Sequence, residues 1–384
     1  MRASWSVRVA SWMGALVGCG GAAPEPLGVL SSGILGGFLA PSPELDHTGA
    51  MIRIDRATGR RSIICTATAI GPESAVTAKH CVRSLEIAVI LGDEAAWVAG
   101  PDIETQAEPN LIVGVEQPAE SPEPGALGLG FDVAVVHLAD PVAATAVPRE
   151  YLPSLLGRSM VTLGFGMAGA SSPVDGRRRI GRETVVAVDG LVYEALYGNF
   201  ESYFDAQRAS GALAGGGASP SSDADSAWAT YHATRLIPAH EVVTATLPGN
   251  TRSCRGDSGG PLLQMGEQGE WEVFGVLSGG PSSERAECDW GEIFSTFGPF
   301  THRFVDAAST WTDPCGALDE RGECAGGVAR WCETDVLANG RRPVEDDCSR
   351  TTRNCSKVHG TARCVARSTK MDLQSTPAVS GVDP

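Results

Sequence analysis

Between Ile34 and Thr310 the chain repeats one local pattern. Short apolar or alternating runs, such as "SIICTATAI", "LEIAVIL", "DVAVVHL", "MVTLGFG", "EVVTATL" and "WEVFGVLSG", are each followed by turn-forming residues. Many short strands separated by turn signals predict an all-β barrel or sandwich rather than a helical bundle. The 47 Gly and 24 Pro among 384 residues agree with that expectation. "PFTHRFVDAASTW" departs from it: Phe300, Phe304, Ala308 and Trp311 recur at helical spacing, and Pro299 suits a first helical turn. One terminal helix packed on the β domain is expected.

Other stretches fall outside the pattern. "GALAGGGASPSSDADSA" has the composition of a flexible loop and "LVYEALYGNFESYFDAQRA" that of a short helix, so residues of about 168–232 read as an insertion. Residues 312–367 hold Cys315, Cys324, Cys332, Cys348, Cys355 and Cys364, a small module that depends on disulfides for stability. Six cysteines allow fifteen connectivities, among which the sequence does not choose. Residues 368–384 read as a disordered tail.

At the N-terminus, "MRASWSVR" followed by the apolar "VASWMGALVG" has the proportions of a signal peptide over residues 1–18. "LVGC" is similar to the lipobox of bacterial lipoproteins. That likeness implies acylation of Cys19, a tether over 19–33 and anchoring in the cell envelope at the outer membrane. A plain secretory signal would release the protein instead, and both readings export it. Eleven cysteines less Cys19 leave an even number, as expected of disulfides in an oxidising compartment. No C-x2-C pair or H-E-x-x-H occurs, so neither a metal nor another cofactor is expected. A formal net charge of -16 argues against a nucleic-acid partner.

Three stretches carry residues suited to chemistry. "SAVTAKHCV" presents His80, "GFDVAVVHL" presents Asp132 at the start of a strand, and "CRGDSGGPLL" presents Ser258 on a glycine-rich turn. A serine hydroxyl is a weak nucleophile until an imidazole accepts its proton, and the imidazole needs a carboxylate to fix its tautomer. Each residue alone has an ordinary structural explanation, and the combination is what signals catalysis.

In order and context these residues resemble the trypsin-like (chymotrypsin-fold) serine proteases, whose motifs "TAAHC", "DIAL" and "GDSGGP" correspond to "TAKHC", "DVAV" and "GDSGGP" here. The resemblance covers roughly residues 34–311. It implies two six-stranded antiparallel β-barrels with a C-terminal helix, and a protein or peptide substrate. It also implies His80 as general base, Asp132 as its orienting carboxylate and Ser258 as nucleophile. The backbone N–H groups of Gly256 and Ser258 become the oxyanion hole, and Cys65–Cys81 and Cys254–Cys288 become disulfides.

The family frees an "IVGG"-like terminus by proteolysis, and its new ammonium pairs with the aspartate beside the serine. "ILGG" at residues 34–37 implies the pair Ile34 and Asp257, although Gly33 rather than a basic residue precedes it. Arg252 and Ser253 fall at the base of the specificity pocket, with Glu292 near a second pocket position. Arg252 could neutralise Glu292, favour acidic substrates or face solvent. Ser278 to Gly280 match the strand that pairs with extended peptides, and Gly279 stands where the family usually has tryptophan. A silent protein-binding relative of the same fold is the rival reading. A further alternative makes the cysteine-rich module the working part, binding carbohydrate or protein.

Overall fold

The computed structural model describes residues 34, 37–105, 108–167, 174–210, 220–245, 251–280, 291–336, 340–350 and 353–366. The expected leader, Cys19 with its tether, Cys288 and the tail from 368 onward lie outside these residues.

Strands β1 (Thr48–Ile54), β2 (Arg61–Gly71), β3 (Ser74–Thr77), β4 (Glu94–Val98), β5 (Asn110–Glu116) and β6 (Ala134–Leu138) close into a barrel in the order β1-β2-β3-β6-β5-β4. Strands β7 (Ser159–Gly164), β8 (Arg179–Ala187), β9 (Glu241–Ala245), β10 (Pro261–Met265), β11 (Trp271–Gly279) and β12 (Glu292–Thr296) follow. Because β7 pairs with both β8 and β10, these strands close a second antiparallel barrel in the same relative order. Met51, Ala67, Val76, Trp97 and Val135 fill the first barrel. Met160, Val185, Val242, Leu262 and Phe294 fill the second. Closure leaves no unpaired sheet edge within either ring.

Helix α1 (Lys79–Ile90) follows β3 and contains most of "LEIAVIL", which the apolar run alone suggested was a strand. Its buried residues Cys81, Val82, Leu85 and Ala88 mark one helical face, while Ile87 and Ile90 are exposed. The expected insertion also needs redrawing, since its first part includes the barrel strand β8. Between β8 and β9 lie helices α2 (Val192–Tyr197), α3 (Phe200–Ser210) and α4 (Pro220–Ala233). Gly198 separates the first two at φ 79°. Tyr203, Ala227 and Tyr231 form their small core, and part of the stretch that looked like flexible loop is helix α4.

Helix α5 (Pro299–Ser309) opens on Pro299 and buries Thr301, Val305 and Ala308. Beyond it Trp311 stacks on buried His137, with ring centroids 4.2 Å apart. The module then forms a sheet of β13 (Glu323–Ala325), β14 (Val328–Asp335) and β15 (Gly340–Asp347), and a hairpin of β16 (Arg353–Val358) and β17 (Thr361–Ala366). Its bridges are Cys315–Cys332, Cys324–Cys355 and Cys348–Cys364. No helix among the described residues is long and apolar enough to cross a membrane.

Candidate active site

Asp132 sits just before β6 with 1% of its surface exposed. A carboxylate buried to that degree must be hydrogen-bonded to be tolerated, and this one is. Its Oδ1 accepts the backbone N–H of His80 at 2.8 Å, and its Oδ2 lies 2.8 Å from His80 Nδ1. Ser278 Oγ, on β11, donates to Oδ2 at 2.6 Å. His80 occupies the first turn of α1, whose N-cap residue Ala78 offers no capping side chain. Asp132 therefore satisfies one of the helix's orphan N–H groups and places its negative charge at the positive end of the helix. With Nδ1 donating to the carboxylate, the lone pair of the neutral imidazole is left on Nε2.

The Cys65–Cys81 disulfide ties β2 to the residue after His80. Cys81 Sγ lies 3.7 Å from His80 Nε2. Bonded to each other, the two sulfurs near the imidazole are not thiolates available to a metal.

Ser258 lies half-buried on the turn from Cys254 to Gly260. Its carbonyl accepts Thr66 N–H at 2.8 Å, and Thr66 Oγ1 donates to the Gly256 carbonyl at 2.9 Å. A turn of the second barrel is thus held on β2 of the first, one residue from Cys65. Gly256 and Gly259 adopt φ of 95° and 78°. A Cβ on Gly259 would sit 2.2 Å from Thr77 Oγ1 and 2.3 Å from the Thr66 carbonyl. Only glycine fits both that backbone region and that contact. Among the described residues, no protein acceptor binds the N–H groups of Gly256 and Ser258.

Ile34 is fully buried, and its backbone N–H bonds the Asp257 carboxylate. Asp257 also accepts Gly166 N–H at 2.7 Å and Cys254 N–H at 2.8 Å. Burial, reinforced by the negative charge of Glu292, pushes its carboxyl up to about 7 despite these bonds. A Cβ on Gly164 or Gly166 would run into the same carboxylate.

The pocket residues include contacts that the sequence did not suggest. Glu292 is buried and accepts both the N–H and, at 3.0 Å, the Oγ of Ser253. Glu183 on β8 is a second acid beside it, and Arg252 is half-buried. Gly280 is exposed at the end of β11, and Leu127 Cδ1 fills the space beside Gly279, 3.2 Å from where a Cβ would be. Cys254 is disulfide-bonded, while its expected partner Cys288 lies outside the described residues.

Sequence reasoning missed two buried acids. Glu183 hides in the charged stretch "RRRIGRETVV". Glu241 accepts the N–H groups of Ala126 and Ile237, clamping the loop that leads to Asp132, and burial raises its carboxyl to about 7.

The sequence model of the Trypsin family matches residues 38–180 and 220–297, more than half the chain. The chain belongs to the trypsin family. The gap between the two matched segments contains α2 and α3 of the helical insertion. A trypsin-like protease of Streptomyces glaucescens is 32% identical over 62 residues, which cover 16% of this chain and 23% of that relative.

Proposed function

We propose that this trypsin-family chain is a serine endopeptidase in which Ser258 attacks the scissile carbonyl. The observation that carries the reading is the buried Asp132 carboxylate, held by His80 N–H and Ser278 Oγ and bonded to His80 Nδ1. That bond leaves Nε2 to take the Ser258 proton and later give it to the leaving amine. The oxyanion of the tetrahedral intermediate is received by the N–H groups of Gly256 and Ser258, each such donor contributing about 100- to 1000-fold in rate. Water then hydrolyses the acyl-enzyme. The peptide extends along Ser278 to Gly280.

Cleavage before Ile34 would convert its N–H into an ammonium facing Asp257, an activation step supported by the burial of both residues. Export is supported by the disulfides formed at Cys65, Cys81 and throughout the module. An outer-membrane anchor through acylated Cys19 belongs to the same proposal.

An organophosphate serine probe tests the assignment. Labelling at Ser258 that disappears in Ser258→Ala, with peptide hydrolysis reduced by roughly 10^4-fold or more in His80→Ala, is the expected result. Wild-type protein with a free Ile34 terminus that neither labels nor cleaves peptides would leave the silent binding protein as the better reading.

A further inference from the structure

We infer that Glu183 is a positioning residue for the Ser258 turn, sharing one proton with Glu292 so that the pair fixes Ser253 at the turn's base. This rests on the hydrolytic role proposed for Ser258. Ser253 Oγ lies 3.0 Å from Glu292 Oε2 and 3.4 Å from Glu183 Oε1, so one hydroxyl stands between the two carboxyl groups. A hydroxyl has one hydrogen to donate. Thr244 Oγ1 supplies a second, to Glu183 Oε2 at 2.6 Å. Ser253 can donate in only one of its two carboxyl contacts, and the other requires a carboxylic acid that donates to its Oγ.

The surroundings favour that proton. Glu183 and Glu292 are buried at 1% and 5% exposure. Asp257, another acid, adds its charge to the same cluster. Burial accordingly raises both glutamates above the ordinary carboxylate range, and for Glu292 the charge of Glu183 adds to the effect. Like charges held together in a dry compartment cannot both ionise without cost.

The pair reaches the nucleophile through a short chain of hydrogen bonds. Glu292 holds Ser253 by its N–H and hydroxyl; the next residue, Cys254, donates its N–H to Asp257. Asp257 is the immediate neighbour of Ser258 and also holds Ile34 and Gly166. Removing the shared proton would put a second negative charge against Ser253, making three in the cluster when Asp257 is ionised. The base of the turn would be pushed apart and the Gly256 and Ser258 N–H groups misdirected. The predicted direction is loss of competence toward alkaline pH.

The experiment compares wild type, Glu183→Gln, Glu292→Gln and Glu183→Leu, each prepared with a free Ile34 terminus. It reads the organophosphate labelling rate and kcat/KM across pH 5 to 10, and thermal unfolding over the same range. Glutamine replaces the shared proton with an N–H donor that does not titrate. Glu183→Gln should retain neutral-pH labelling within about threefold, and both glutamine variants should move the alkaline limb upward by one pH unit or more. Their Tm should also fall less steeply with pH than that of wild type. Glu183→Leu leaves Glu292 without its partner and should slow labelling about tenfold or more at every pH, mainly through kcat. Alkaline limbs and stability slopes identical to wild type in both glutamine variants would overturn the inference, as would an unimpaired Glu183→Leu. Wild-type labelling separates the two levels: if wild type labels and the variants match it, only the role of Glu183 fails. If wild type does not label, the hydrolytic reading fails with it.

Discussion

Asp132 illustrates how one side chain is fixed by several partners of unequal value. His80 contributes two contacts and Ser278 a third, at 2.6 Å. A hydrogen bond to a charged group is worth about 1.5–3 kcal/mol, and a buried charge that loses a donor carries the penalty with no compensation from water. Ser278→Ala should therefore lower kcat/KM for a chromogenic peptide by about 10- to 100-fold while leaving far-ultraviolet circular dichroism unchanged. A variant with wild-type kinetics would mean that the two contacts from His80 are sufficient to orient the carboxylate. The candidate catalytic residues were legible because each chemical role admits few residue types in a recognisable local context. Glu183 and Glu241 were not, because a buried acid has no sequence pattern of its own. Its significance comes from neighbours that only the fold brings together, Thr244, Ser253 and Glu292 for one and Ala126 and Ile237 for the other.

At the level of elements, the apolar run was a good guide where a strand is buried on both faces, as throughout Ala134–Leu138 and over most of Trp271–Gly279. It failed in three places for identifiable reasons. Strand β8 buries Arg179 and Glu183, so its inward face reads as polar. Helix α1 opens on "KHCV", whose chemistry draws attention from the helical spacing of Cys81, Leu85 and Ala88. Helix α4 is rich in Ser, Asp and Ala and acquires a buried side only through Ala227 and Tyr231. Loop conformation was the least legible feature, and Glu241 shows why. At the head of β9 it binds Ala126 N–H and, at 2.7 Å, Ile237 N–H, joining the loop before Asp132 to the end of the helical insertion. Glu241→Ala would leave these buried donors unpaired, at about 1–3 kcal/mol each. The expected result is a lower Tm together with faster hydrogen exchange in residues 125–131. Unchanged exchange there would show that the loop is held by its apolar contacts alone.

At the scale of the whole molecule, the two barrels share one strand order although their sequences show no visible repeat, and the serine turn of one is bonded to the histidine side of the other. The junction also collects negative charge, since Asp257, Glu183 and Glu292 are all buried within the second barrel. In the uncut chain Ile34 offers Asp257 a neutral N–H, and burial raises that carboxyl to about 7. The folded uncut chain therefore holds a proton that the unfolded chain releases near the ordinary aspartate value. The stability from this group is complete below about pH 4, declines as pH rises and is gone above about pH 7. A shift from 3.8 to about 7 corresponds to something on the order of 4 kcal/mol across that window. Cleavage before Ile34 would reverse the sign, because an ammonium beside Asp257 favours the carboxylate and lowers its pKa. Both forms contain the same Glu183–Glu292 pair, so the difference between their Tm-against-pH curves isolates Asp257. The uncut chain should lose stability between pH 4 and 8 more steeply than the cut chain, with the cut form the more stable of the two at pH 8. Parallel curves would show that the cut terminus does not reach Asp257, and the activation step would have to be sought elsewhere in the chain.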